Sequence, residues 1–304
     1  MTLADLLVYS PEVTVARLQG QPIVALESTI ITHGMPFPQN VETARKVEET
    51  VRAAGAVPAT IAIMGGRIHI GLTPSELDSL GQAQGVMKLS RADLAACLAT
   101  GQTGATTVAA TMICAHLAGI SVFATGGIGG VHRGAEESFD ISADLLELAA
   151  TPVTVVAAGA KAILDLPKTL EVLETHGVPV IAYGQDDFPA FWSRSSGLKA
   201  PLRMDTAADI ARAHRLRGTL GLPGGQLVAN PIPEAAEIPR EVITPRIEQA
   251  LIEAEAQGIA AKAVTPFLLQ RIFELTEGRS LASNIELVLN NARLGAAIAR
   301  ELSA

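Results

Sequence analysis

The sequence predicts an α/β protein built on a largely parallel sheet, and two observations carry that expectation. Short apolar runs alternate along the 304 residues with stretches of helical periodicity, the order expected of strand–helix–strand units. The apolar runs are also continuous instead of alternating with polar residues, as strands covered on both faces should be. In chain order, strands are expected at 22–26, 59–64, 120–124, 153–157, 178–182 and 226–229. Helices are expected over 41–54, 166–175 and 285–302. Further helix starts are marked by their caps. Thr73-Pro74, Thr244-Pro245 and Thr265-Pro266 each set a capping hydroxyl before a proline at the first helical position. Ser90 precedes Asp93, an acidic residue in a first turn. Residues 184–205 show no period. With Tyr183 just before them, they hold Phe188, Phe191 and Trp192, four of the ten aromatics in the chain. An aperiodic stretch this long is usually a functional loop or disorder. Its aromatic content argues against disorder and points to a loop packed over a site, with a loop merely packed on the surface as the alternative.

Composition excludes several classes. At 48% apolar residues the chain buries enough surface to offset the entropy of ordering it. Charged residues make up only 18%, and residues 94–132 contain no Asp, Glu, Lys or Arg. Such a run is long enough for a membrane helix. Its polar Thr100, Gln102, Thr103, Thr106, Thr107, Thr111 and His116, with glycines at 101, 104 and 119, favour a buried helix and a buried strand joined by glycine loops. A net charge of −8 lacks the basic excess of a nucleic-acid binder. Cys97 and Cys114 form neither a disulfide framework nor zinc spacing. The N-terminus has Asp5 and no basic start, unlike a signal peptide. A cytoplasmic protein with no membrane partner is the expectation. No repeat, low-complexity tract or linker divides the chain, so one domain is expected over 1–304.

Ligands of open α/β sheets bind outside the carboxyl ends of the strands, and four predicted strands end on reactive or glycine-rich segments. These are Glu27-Ser28-Thr29, the stretch from Gly126 to His132, Ala160-Lys161, and Asn230-Pro231. Together they suggest one cleft. Lys161 is one of only six lysines and sits in Ala157-Ala158-Gly159-Ala160-Lys161-Ala162-Ile163-Leu164. Apolar surroundings disfavour an ammonium and favour the neutral amine of a Schiff-base nucleophile. A lysine that snorkels to solvent, or pairs with Asp165, fits the same residues. Glu27 suits a general acid, or a carboxylate satisfied by Ser28 or Thr29. Asp140 and Asp144 stand four apart with Ser142 between them. They suit a hard divalent cation that also takes water and substrate phosphate, or simple helix capping. The glycine-rich stretches match neither G-x-G-x-x-G nor G-x-x-x-x-G-K-[ST]. Residues 104–111 would still offer N–H groups at a helix start, or close helix–sheet packing. Lys88 suits a phosphate or carboxylate partner, or an ordinary solvated lysine. Asn284 suits either a polar ring or the cap of the last helix, and His33 and His132 are secondary candidates.

The segment Ala25-Leu26-Glu27-Ser28-Thr29-Ile30-Ile31-Thr32-His33-Gly34-Met35-Pro36 resembles the opening motif of the pseudouridine-5′-phosphate glycosidases, the indigoidine synthase A-like family. Residues 104–112, 124–130 with His132-Arg133-Gly134, 139–145, 158–170, 186–194, Asn230-Pro231-Ile232-Pro233 and Ser283-Asn284-Ile285 are similar to its later motifs, in order. The resemblance implies a three-layer α/β/α fold, a homotrimer and Mn²⁺. It also implies reversible cleavage of pseudouridine 5′-phosphate to uracil and ribose 5-phosphate. It places Lys161 on the nucleophile, Glu27 on the proton donor and Asp140 on the metal ligand. Lys88, Val108, Ser142, Ala143 and Asp144 fall on substrate-binding positions, and Asn284 on a residue that handles the uracil. His132 is carried as a further substrate-binding candidate. The bond to be cut joins two carbons, so protonating a leaving heteroatom cannot release the base. An amine that becomes an iminium at C1′, with an acid to protonate the departing carbon, meets that difficulty. Another Schiff-base lyase or aldolase of sugar phosphates, and a non-catalytic sugar-phosphate binder, are the alternative readings.

Overall fold

The structure, a computed structural model, describes residues 2–259 and 264–304. Its strands are β1 (Leu7–Tyr9), β2 (Ile23–Leu26), β3 (Val57–Met64), β4 (Arg67–Ile70), β5 (Met87–Leu89), β6 (Gly104–Thr106), β7 (Val122–Ala124), β8 (Thr154–Ala157), β9 (Val180–Tyr183), β10 (Leu202–Met204) and β11 (Gln226–Ala229). Its helices are α1 (Leu3–Leu6), α2 (Pro11–Gln19), α3 (Gln39–Ala53), α4 (Pro74–Gln82), α5 (Arg91–Thr100), α6 (Val108–Leu117), α7 (Ala135–Ser138), α8 (Ala143–Ala150), α9 (Leu166–Thr175), α10 (Ala207–Thr219), α11 (Arg240–Ala256), α12 (Val264–Leu275) and α13 (Arg279–Ser303).

The strands join in one sheet of order β1-β4-β3-β2-β7-β8-β11-β9-β10, with β5 and β6 branching from β3. Among the described residues, the β3–β4 and β3–β6 strand pairings alone are antiparallel. The six strands expected from apolar runs are β3, β2, β7, β8, β11 and β9, the contiguous parallel centre of the sheet. Their residues are almost all buried, as expected for strands covered on both faces. Helices α3, α10 and α13 pack as one layer, and α5, α6, α8 and α9 as the other. Helix α13 crosses β2, β7 and β8 closely. A Cβ on its Gly295 would stand 3.2 Å from the Ala124 Cβ.

The uncharged run 94–132 becomes most of α5, then β6, α6 and β7, and α6 is buried along most of its length. Among the described residues no helix is long and apolar enough to cross a membrane.

The cap at Thr73 forms as expected: Thr73 Oγ1 accepts from the Glu76 N–H at 3.3 Å, and Glu76 Oε2 accepts from the Thr73 N–H at 2.7 Å. Thr244-Pro245 is a correction, because α11 starts at Arg240 and runs through Pro245. The first four helical N–H groups have no internal partner, but the sixth residue does. Pro245 therefore removes a bond to the Glu241 carbonyl instead of marking the start. Helix α12 is described from Val264 and contains Thr265, whose hydroxyl lies outside the described side chains. Helix α13 begins at Arg279 and not at residue 285, which makes Asn284 an interior residue and not its cap. The stretch 184–205 is not wholly irregular, because it ends in edge strand β10, paired to β9.

Candidate active site

Strands β2, β7 and β8 run in the same direction, so their carboxyl ends deliver Glu27, Gly126 and Gly127, and Lys161 to one edge of the sheet. A cavity of about 430 Å³ opens there. All ten sequence-predicted site residues line it: Glu27, Lys88, Val108, His132, Asp140, Ser142, Ala143, Asp144, Lys161 and Asn284. The fourth strand end does not reach the cavity. Asn230, after β11, is buried and donates from Nδ2 to Asn291 Oδ1 at 3.0 Å.

Lys161 is placed by backbone pairing that continues past the strands. The Ala158 N–H donates to Gly126 O at 2.9 Å, the Ile128 N–H to Gly159 O at 3.1 Å, and the Lys161 N–H to Ile128 O at 3.1 Å. Gly159 makes this possible. Its φ of +85° and the Pro189 carbonyl, 2.5 Å from where a Cβ would sit, together exclude a side chain. The ion pair with Asp165 does not form. Asp165 instead caps α9 at the Lys168 N–H, at 3.1 Å, and pairs with Lys168 Nζ at 3.1 Å. Among the described residues, the Lys161 amine has no hydrogen bond or ion pair.

Glu27 is half-buried and accepts from two threonine hydroxyls, Thr29 on Oε2 and Thr125 on Oε1. Ser28 turns away and donates to Ile61 O at 2.7 Å. The carboxylate is thus held by neighbours, as the simpler reading expected, and it still faces the cavity.

Two helix N-termini form another part of the cavity wall. Thr107 and Val108 begin α6, and Ser142, Ala143 and Asp144 begin α8. The positive ends of their two helix dipoles, with Lys88 lining the same cavity, make an environment for an anion. Asp144 ties this wall together. Its Oδ1 accepts from the Ala109 N–H at 2.9 Å and its Oδ2 from the Gly129 N–H at 2.8 Å. The paired-carboxylate reading of Asp140 and Asp144 is therefore corrected. Asp144 is buried with both oxygens already accepting, while Asp140 precedes α8 and stays 40% exposed. The glycine cluster serves packing. A Cβ on Gly129 would meet Ser142 Oγ at 2.2 Å, and one on Gly127 would meet the Phe191 ring at 2.7 Å.

His132 Nδ1 stands 3.9 Å from Asp140 Oδ2. Burial pulls its imidazole below the usual histidine range; nearby Asp140 opposes this, and nearby Lys161 and Lys88 add to it. His33 also lines the cavity. Its imidazole is likewise lowered, by burial first and then by Lys88.

The architecture has close relatives. Residues 12–301 match the family described as indigoidine synthase A like protein. The chain belongs to that family. It is 76% identical over 297 residues to the pseudouridine-5′-phosphate glycosidase of Jannaschia sp. (strain CCS1), covering 98% of both chains. It is 74% identical over 303 residues to that of Paracoccus denitrificans (strain Pd 1222), covering 99% of this chain and all of that one. Among solved structures, the prealnumycin C-glycosynthase AlnA in complex with ribulose 5-phosphate superposes with a TM-score of 0.91 at 41% identity, over 98% of this chain and 97% of that one. An indigoidine synthase A-like protein of Thermotoga maritima MSB8 gives 0.89 at 33%, with the same coverage.

Membership raises the question of a cation. The described residues hold no cluster of three or more His, Cys, Asp or Glu able to enclose one. Asp140 supplies one accessible carboxylate at the cavity wall. That donor set fits an ion that keeps several waters and takes substrate phosphate, and it does not fit an all-protein cage.

Sequence reasoning missed Thr125 and Trp192. Thr125 holds Glu27 from 98 residues away, and Trp192 Nε1 donates to Asn284 Oδ1 at 2.6 Å from 92 residues away. The aromatic loop signalled Trp192 only as part of a loop packed over a site. Neither pairing has a local sequence signature.

Proposed function

We propose that this cavity reversibly cleaves pseudouridine 5′-phosphate to uracil and ribose 5-phosphate. The observation that carries the reading is the Lys161 amine, without hydrogen bond or ion pair among the described residues, in one cavity with the Glu27 carboxyl. The names of the highly identical relatives and the sugar phosphate bound by AlnA support it. The two helix N-termini and Lys88 take the phosphate, which anchors the ribose and sets C1′ against Lys161.

The chemistry then follows from what a carbon–carbon bond requires. The ribose ring opens at C1′–O4′, with O4′ taking a proton, and the Lys161 nitrogen bonds to C1′. Glu27 delivers a proton to the base carbon that bonds C1′. The C1′–C bond breaks, its electron pair restores the uracil ring, and the nitrogen lone pair completes a C1′=N iminium. Water hydrolyses the iminium, so one water is consumed and ribose 5-phosphate leaves with the amine restored. A bound Mn²⁺, held by Asp140 together with water and substrate oxygens, would supply positive charge near the phosphate end. Within this reading residues 1–304 act as one domain in a cytoplasmic homotrimer. The buried, unpaired Cys97 and Cys114 suit a reducing compartment.

Release of uracil from pseudouridine 5′-phosphate tests the function, and separates it from an aldolase or a binding protein. Borohydride with ribose 5-phosphate should reduce the imine and tag Lys161. Lys161→Ala should lose activity by on the order of 10³-fold or more; full activity in that variant would exclude the covalent route. Chelation should abolish turnover and Mn²⁺ restore it, and turnover indifferent to chelator would remove the metal. Sedimentation should give three times the chain mass, and a monomer would remove the trimer.

A further inference from the structure

Trp192 is fully buried, and its indole nitrogen can only donate. That N–H reaches Asn284 Oδ1 at 2.6 Å and Ser280 O at 3.1 Å. An amide oxygen bound to a fixed donor cannot trade places with its NH₂ group, because the flipped amide would set two donors against each other. The Asn284 oxygen is therefore turned to Trp192. Its Nδ2, which has no hydrogen-bond partner among the described residues, is left for the cavity that Asn284 lines.

The indole itself is held from several sides. The Phe191 ring meets it edge-on at 5.1 Å and 72°. The neighbouring Ser193 hydroxyl donates to Ile238 O at 2.7 Å, and Arg194 Nη1 donates to Ile232 O at 2.7 Å. The segment these bonds reach is tied to α13 through Ser283 Oγ, which donates to Ala236 O at 2.7 Å. Trp192 is thus a rigid donor, and Asn284 presents only N–H groups to a ligand.

We propose that Trp192 is a positioning residue that sets the polarity of Asn284, so that the base end of the cavity accepts a ring carbonyl and rejects an exocyclic amine at that place. The proposal rests on the reading of this cavity as a pseudouridine 5′-phosphate site and adds how it selects the base. An amino group facing Asn284 would bring two donors together and leave both unpaired, and sites built around a directed hydrogen bond discriminate strongly on that ground.

The test runs the reaction in the synthetic direction, from uracil and ribose 5-phosphate, and measures the KM of each. Absence of product with the unaltered protein defeats the functional reading, not this one. With product formed, Trp192→Phe removes the donor and keeps a ring. It should raise the uracil KM about tenfold and leave the ribose 5-phosphate KM within about twofold. Asn284→Ala should raise the uracil KM at least as much. Adding Trp192→Phe to Asn284→Ala should then change it no further, because the indole acts through the amide. An unchanged uracil KM in Trp192→Phe, or effects that multiply in the double variant, overturns the proposal. Should Trp192→Phe show no cooperative melting, Asn284→Asp decides. Its second oxygen faces the cavity as an acceptor, so the uracil KM must rise beyond that of Asn284→Ala, and a value equal to the unaltered protein's overturns the proposal.

Discussion

Glu27 and Lys161 illustrate how little of a site residue's behaviour is local. Glu27 ends an apolar strand, yet one of its two oxygens is held by Thr125 from the next strand in the sheet. Thr125→Val keeps the side-chain shape and removes that donor. Activity should fall roughly tenfold while stability changes by about 1 kcal/mol, since one hydrogen bond is lost from the carboxyl meant to deliver a proton. Turnover and melting measured together check this, and unaltered turnover would free Glu27 from dependence on Thr125. Lys161 was visible in the sequence as an amine among alanines. Its freedom from Asp165 was not, because that depends on Lys168 reaching Asp165 first. Asp144 is the opposite case. Its spacing from Asp140 suggested a shared ion, and burial against two backbone N–H groups turned it into a strut.

Among the elements, the strands read correctly are those buried on both faces, where solvent on neither side leaves a continuous apolar run. The ones missed, β1, β4, β5, β6 and β10, are three or four residues long and lie at or beyond the ends of that parallel centre. Arg67-Ile68-His69-Ile70 buries only its two isoleucines and Leu202-Arg203-Met204 is mostly exposed, so neither carries a continuous apolar run to recognise. Close approach between elements has sharper consequences. Gly129→Ala would drive a Cβ into Ser142 and Asp144 at the start of α8. We expect a loss of about 1–3 kcal/mol in denaturant unfolding, with weakened activity, because the wall between the glycine loop and the two helix N-termini must open. Pro245 sits inside α11 with no donor for Glu241. Pro245→Ala should raise stability by about 1–2 kcal/mol, the restored helical bond outweighing the added freedom of the unfolded chain. A lower melting point would show that the proline is needed for how α11 packs.

For the whole molecule, pH dependence gathers contributions from buried carboxyls away from the site. Glu48 on α3 is buried and accepts from Thr60 Oγ1 at 2.7 Å. Burial pushes its carboxyl above the ordinary range, against the Thr60 bond and the Arg52 charge. A carboxyl raised on folding favours the folded state below its unfolded value, and loses that contribution as pH rises through the raised value. Glu48→Gln should therefore match the parent near about pH 3.5 and melt higher near about pH 8; an equal difference at both would assign the effect to packing. The layers themselves follow from the sequence, since apolar runs on strands and stripes on helices have few ways to be covered. By itself, the sequence determined the parallel centre of the sheet, the strand ends that carry chemistry, and the types of side chain available there. These depend on hydrophobic period and on residue identity, and both are local. Only the tertiary structure decided which reactive residues share a cavity, that Asn230 is turned to the core, that Asp144 braces two helix starts, and which way the Asn284 amide points. The shared cavity follows from strands that pair across long stretches of chain. The other three are hydrogen bonds between residues apart in sequence, because a buried polar group takes whichever partner the packing brings within reach.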